Sequence, residues 1–194
     1  MNLVHQFKLG LATAALLASL SQLTASDVTG EKQSSSRRPA NVYDVSYDGA
    51  TVRTLYGQQG TISRGDAFIV TGNIYPGGTI PTNGVFSPLT PGSIGTWTCR
   101  GVYNFGLADL IVGKEPAVFT TQTFQFNDGT IIITEGPEGV VSHIRAVTGG
   151  AGRASGATGQ VRQDFLGANE TVDVDGMPGL NFRFTFELKE PLMN

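Results

Sequence analysis

Ala146–Val161 reads "AVTGGAGRASGATGQV" and places Gly149, Gly150, Gly152, Gly156 and Gly159 within eleven residues. Two readings compete for it. Gly150-x-Gly152-x-x-x-Gly156 is a loose variant of a dinucleotide fingerprint, and a β-branched run, "GVVSHIRAV", precedes it. A phosphate loop then requires a helix whose N-terminal amides face the phosphate. The chain instead continues with Gly159 and "QVRQDF", which has the look of another strand, and no wider βαβ alternation surrounds it. Glycines at strand ends serve equally as sharp corners and bulges. The stretch is therefore read as a strand–turn–strand corner.

The neighbouring segments extend that reading. "NFRFTFELK" puts Phe182, Phe184, Phe186 and Leu188 on one face, with Arg183, Thr185 and Glu187 on the other. "FTTQTFQF", "GTIIITEG", "DAFIVTGNIY" and "GTWTCRGVYNF" are further β-rich runs bounded by turn residues. Asn127-Asp128-Gly129 predicts a tight hairpin turn, because Asp-Gly tolerates positive φ. "TEGPEGV" predicts a second turn through Gly136-Pro137. The expected fold is all-β with few or no helices after the N-terminal segment. An eight-stranded antiparallel barrel removes exposed edges most simply, and a two-sheet sandwich is the alternative.

The N-terminus has a different character. Lys8 precedes an apolar run from Leu9 to Leu17, then small and polar residues, the order of a secretory signal peptide over residues 1–25. Residues 26–40 include three serines and Arg37-Arg38, and are expected to be a flexible tether. The barrel domain is assigned to residues 41–191, secreted or periplasmic after cleavage, with no integral membrane segment remaining. A net charge of −3 gives no basic footprint for nucleic acid. Cys99 is the only cysteine, so no internal disulfide forms. With two histidines, one inside the signal, no metal site is expected. Asn169-Glu170-Thr171 is a glycosylation sequon, meaningful only for a eukaryotic source.

Two adjoining segments carry a family resemblance. "FQFNDGTIIITEGP" and "AVTGGAGRASGATGQV", followed by "NFRFTFELK", resemble the C-terminal half of the allene oxide cyclases, and the glycine pattern is similar to that of dirigent proteins. The match runs from Thr123 to Leu188, with an insertion around Gly167–Met177, and thins upstream. The resemblance implies an eight-stranded barrel with an apolar cavity, commonly a homotrimer, and no cofactor. It also implies work by confinement: cyclising an unstable fatty-acid epoxide, or orienting phenoxy radicals for stereoselective coupling.

Candidate residues come from that resemblance. Asp44, in "NVYDVSYDG", stands where the cyclases carry a glutamate and is the candidate catalytic acid. Ser46 stands where they carry an asparagine. Another family asparagine position falls on Gly72, beside Asn73 and near Tyr75. A one-residue offset reverses the face of a strand, so Asn73 is expected to point outward unless a bulge intervenes. Trp97 and Cys99 share a strand face and complete the candidate ligand-binding set. A lone cysteine is more often a small buried hydrophobe. His143 and Arg145 also share a face, and are read as structural or solvated. The expected function is binding of a small apolar molecule, an oxidised lipid or a phenolic, with cyclase-like or dirigent-like guidance. A non-catalytic carrier, or a structural or surface-interaction barrel, is the alternative.

Overall fold

The computed structural model describes residues 41–57, 60–82, 85–190 and 192; the signal segment and the tether lie outside the described residues. The strands are β1 (Asn41–Tyr47), β2 (Arg53–Leu55), β3 (Ala67–Pro76), β4 (Gly95–Tyr103), β5 (Val118–Phe126), β6 (Ile131–Glu138), β7 (His143–Ala151), β8 (Gly159–Val172) and β9 (Pro178–Leu188). One short helix, α1 (Leu107–Ile111), lies between β4 and β5.

All neighbours are antiparallel, in the order β1-β9-β8-β7-β6-β5-β4-β3, and β3 pairs back onto β1. Eight strands thus close into a barrel, and the sandwich alternative is excluded. β2 extends the β1 position: β1 pairs with Gly72–Pro76 of β3, and β2 with Ala67–Ile69. Closure is tight at Gly72, where a Cβ would lie 2.6 Å from the Ser46 carbonyl oxygen. Its cross-strand neighbours Tyr47 and Trp97 stack with an interplanar angle of 14°, in the space that the missing side chain leaves.

Period-two alternation sorts the residues as the sequence suggests. Phe182, Phe184 and Phe186 point inward with Val45, Ile74, Trp97, Phe124, Ile132 and Val161, all essentially buried. The glycine stretch is the expected corner: β7, a 3-10 turn at Gly152–Ala154, then β8. Gly152 and Gly156 have φ of 64° and 74°, which suits residues without a side chain. Asn127-Asp128-Gly129 is the hairpin turn, and the Asp128 carboxylate accepts from Thr130 N. Gly136-Pro137 departs from expectation. Both residues lie inside β6, and the chain turns after Glu138. The β7 ladder stops at Glu135, so Pro137 sits beyond it, where its missing N–H is tolerated.

Residues 77–82 and 85–94 do not project from the barrel end; they lie back along its outer wall. Asp44 holds this segment. Its carboxylate accepts from Ile80 N (2.8 Å) and from Arg183 Nε and Nη2 (2.8 and 3.0 Å), and Arg183 also donates to Ile80 O. Tyr75 is covered by the same segment, packing on Ile80 and Phe86 and donating to Thr90 O at 2.8 Å. The sequon is structural too. Asn169 Nδ2 donates to Ser46 Oγ, Tyr47 O and Asn181 Oδ1, so a glycan there is incompatible with this packing.

Asp44 is fully buried, while Arg183 is 24% exposed and can be resolvated when its partner is removed. Asp44→Ala is therefore expected to cost about 2–3 kcal/mol, below the full cost of breaking a wholly buried pair. In thermal unfolding this is a fall in Tm of roughly 5–10 °C. An unchanged Tm would remove the clasp role.

Candidate ligand-binding site

The barrel interior has two halves. Towards the end formed by the 127–130 and 151–158 turns, aromatic side chains fill it: Phe124 contacts Phe184 and Phe186 edge-on at 4.9 and 5.2 Å, and Tyr43 packs on Phe126. At the opposite mouth a cavity of about 190 Å³ remains. Phe68, Val70, Tyr103, Val118, Phe182 and Tyr47 form its wall. The β4–β5 connection contributes Leu110 and Lys114, the β6–β7 turn contributes Val140, and the β8–β9 hairpin contributes Asp173 and Met177. The insertion seen in the sequence at 167–177 therefore lengthens a hairpin that builds one side of the mouth. The volume is of the order that accepts a single aromatic ring.

Glu138 lies at the junction between the cavity and the filled half, on the last residue of β6. Its Oε2 accepts from Gln122 Nε2 (2.8 Å), Thr120 Oγ1 (3.0 Å) and Cys99 Sγ (3.5 Å), and lies 3.9 Å from Arg145 Nη1. Its Oε1 accepts nothing from the described residues, and Glu138 is part of the cavity lining. Arg145 is 1% exposed and donates to the carbonyls of Gly136, Pro137 and Thr120 at 2.8–3.0 Å. Burial holds its basicity below the ordinary arginine value, opposed by the charge of Glu138. Gln122 completes the network, donating to Gln163 Oε1 and accepting from Thr134 Oγ1.

At the rim, Glu115 closes a different set of contacts. Oε1 accepts from Val140 N (2.7 Å), and Oε2 accepts from Ala117 N and meets His143 Nε2 at 3.4 Å. A Cβ on Gly139 would overlap this carboxylate, so a side chain there would displace the end of Glu115. His143 thus faces inward at the mouth, paired with an acid that no local motif signals.

The candidate residues named from the sequence divide into two groups. Asp44, Ser46, Asn73 and Tyr75 lie on the outer wall. Asp44 belongs to the clasp with Arg183, Ser46 faces Asn169, and Asn73 Nδ2 donates to Pro88 O. None of the four lines the cavity. The strand face decides this: Tyr43, Val45 and Tyr47 occupy the inner positions of β1, leaving Asp44 and Ser46 outside. Trp97 and Cys99 do point inward, but into the packed core below the cavity. The acid at the inner end of the cavity is Glu138, which sequence reading assigned to a turn. Its only advance signal is that it falls on the inner phase of Ile132 and Thr134 when β6 is continued through the proline.

No family model matches this chain, and no curated protein matches it. The chain is a closed antiparallel barrel with an apolar cavity at one mouth, and solved structures share the barrel fold. The pterocarpan synthase dirigent protein PsPTS1 is similar over 78% of this chain and 96% of its own, with 12% identity and a TM-score of 0.53. The pterocarpan synthase dirigent protein GePTS1 covers 87% and 96%, with 11% identity and a TM-score of 0.51. A pyocyanin demethylase covers 78% and 100%, with 15% identity and a TM-score of 0.49. At these identities the likeness is one of fold.

Burial, and then the charge of Glu138, pushes the Cys99 thiol well above its ordinary value. The folded state therefore favours the protonated thiol. That contribution is fully present below the unfolded thiol value of about 8.5 and is lost as pH rises towards the folded value. Cys99 is expected to react with a thiol-specific disulfide reagent at pH 8 only after unfolding. Alkaline loss of Tm should be smaller in Cys99→Ala than in the parent. Rapid labelling of the native protein would contradict this placement.

Proposed function

We propose that this barrel binds a small hydrophobic molecule in its mouth cavity. The observation that carries the reading is an apolar, ring-sized space at the mouth, walled by Phe68, Val70, Tyr103, Val118 and Phe182, with a single inward carboxylate at its base. Pockets of this kind, mostly apolar with few convergent polar groups, are the usual form of small-molecule sites. Two structures sharing the fold are pterocarpan synthase dirigent proteins, which supports an aromatic oxygen-bearing ligand here.

The finer proposal is that confinement guides a cyclisation or a stereoselective coupling, with Glu138 rather than Asp44 as the charged group beside the ligand. A carrier without chemistry is the second reading. It is favoured by the removal of Asp44 to the outer wall and of the Cys99 thiol to the packed core. Turnover of a bound ligand to a single stereoisomer separates the two.

Export and assembly belong to the same proposal. Protein recovered outside the producing cell is expected to begin near Ser26, read by N-terminal sequencing. A homotrimer is supported by an apolar row on the outer wall, where Leu55, Ala67, Val102 and Phe119 are successive cross-strand partners. Of these, Leu55, Val102 and Phe119 are exposed in the single chain.

The central test is thermal-shift and native mass spectrometry with oxidised fatty acids and phenolics. A ligand at about 100 times its Kd stabilises by about 2.7 kcal/mol, a shift of several degrees. The same shift is expected in Asp44→Ala, measured from its own lower Tm. It should vanish in Leu180→Trp, because Leu180 lines the cavity beside Phe182 and the larger side chain fills it. Stabilisation lost in Asp44→Ala but kept in Leu180→Trp would move the site to the outer wall.

A further inference from the structure

We propose that the mouth cavity selects apolar molecules bearing one hydrogen-bond donor, a hydroxyl or N–H group, and that Glu138 Oε1 accepts it. This rests on the reading of the cavity as a ligand site and specifies what that site takes.

The two oxygens of Glu138 are not equivalent. Oε2 is taken up by the Gln122 amide, the Thr120 hydroxyl and the Cys99 thiol, with the Arg145 guanidinium just beyond. These partners fix the carboxylate plane, since Gln122 is itself held by Gln163 and Thr134. Oε1 is left with no donor from the described residues, it is not among their fully buried unpaired atoms, and Glu138 lines the cavity. A carboxylate oxygen bordering an apolar space requires a donor from whatever fills that space.

Several of the cavity's other polar groups are committed elsewhere. The Tyr47 hydroxyl donates to Pro178 O, and burial followed by the Glu138 charge pushes its ionisation well above the ordinary phenol value. Both Glu115 oxygens already accept backbone N–H groups. Asp173 Oδ1 accepts from the amides of Asp175 and Met177 within its own turn. Lys114 lies at the outer rim, half-exposed, and pairs with Asp109 at 2.8 Å. At its inner end the cavity therefore presents an acceptor without a matching donor. An occupant that cannot donate leaves a charged oxygen dry and unpaired, a penalty that separates otherwise identical ligands.

The test uses a matched single-ring pair, 4-ethylphenol and 4-ethylanisole, which differ by one donor at nearly constant shape. Isothermal titration with the wild-type protein near pH 7 is expected to show at least about 10-fold tighter binding of the phenol. In E138Q, the amide oxygen must take the place of Oε2 against Gln122 and Thr120, which turns the amide NH₂ towards the cavity. The phenol preference should then fall below about 3-fold. Leu180→Trp should abolish binding of both. Equal wild-type affinities, or a preference unchanged in E138Q, would overturn the proposal while leaving an apolar site standing. Failure of both probes to bind the wild-type protein would remove the cavity reading and this inference together. The wild-type comparison decides the matter even where E138Q does not fold.

Discussion

Arg145 brings a guanidinium into the barrel interior, and much of the arrangement around it consists of what that charge requires. A buried cation left uncompensated costs several kcal/mol, so its donors must be met within the wall. Three carbonyls, those of Thr120, Gly136 and Pro137, meet them directly. Gly136 has φ of 151°, and a Cβ there would press on Arg145 at 3.3 Å. Glu138 then supplies the opposite charge, and Gln122 and Thr120 orient it. The outcome is a carboxylate with one oxygen spent on the protein and the other facing the cavity. A site of this kind depends on its supporting shell for precision, because each partner is held by another.

The same constraint explains why the barrel is packed at one end and open at the other. Phe124, Phe184 and Phe186 pack ring against ring and fill the half where the glycine corner lies. Near Glu138 the inner positions carry Thr120, Gln122, Thr134 and Gln163, which cannot be covered by more aromatic rings without losing their hydrogen bonds. Beyond that polar belt, Gly101 and Gly136 stand at inward positions of the mouth strands, where a Cβ would meet Phe119 O and Arg145 respectively. The long connections across the mouth then define how large the remaining space is.

Much of the fold was legible in the chain. The alternation in "NFRFTFELK", the Asp-Gly turn at 128–129 and the glycine corner at 149–159 all describe local backbone preferences, and each appears where expected. The site was far less legible. Asp44 was placed by resemblance, but alternate positions on β1 face opposite ways, and the inner phase belongs to Tyr43, Val45 and Tyr47. Arg145 reads as an ordinary solvated strand arginine until its carbonyl partners on two neighbouring strands are seen. Glu138 was hidden because Gly136-Pro137 has turn chemistry. The proline survives in β6 only because the β7 ladder has already ended at Glu135.

Local chemistry along the chain was enough to dictate an all-β fold, closed corners made of glycine, and a supply of aromatic residues at period two sufficient to fill a barrel. Those properties rest on torsion preferences and on burial of alternate side chains, which a single strand already expresses. Which acid lies inside was settled at the level of strand assembly. That choice depends on register across β1–β3 and β5–β6–β7, where one residue of offset exchanges the inner and outer faces. It also depends on partners distant in sequence: Ile80 and Arg183 keep Asp44 on the outer wall, while Cys99, Gln122 and Arg145 bring Glu138 to the cavity.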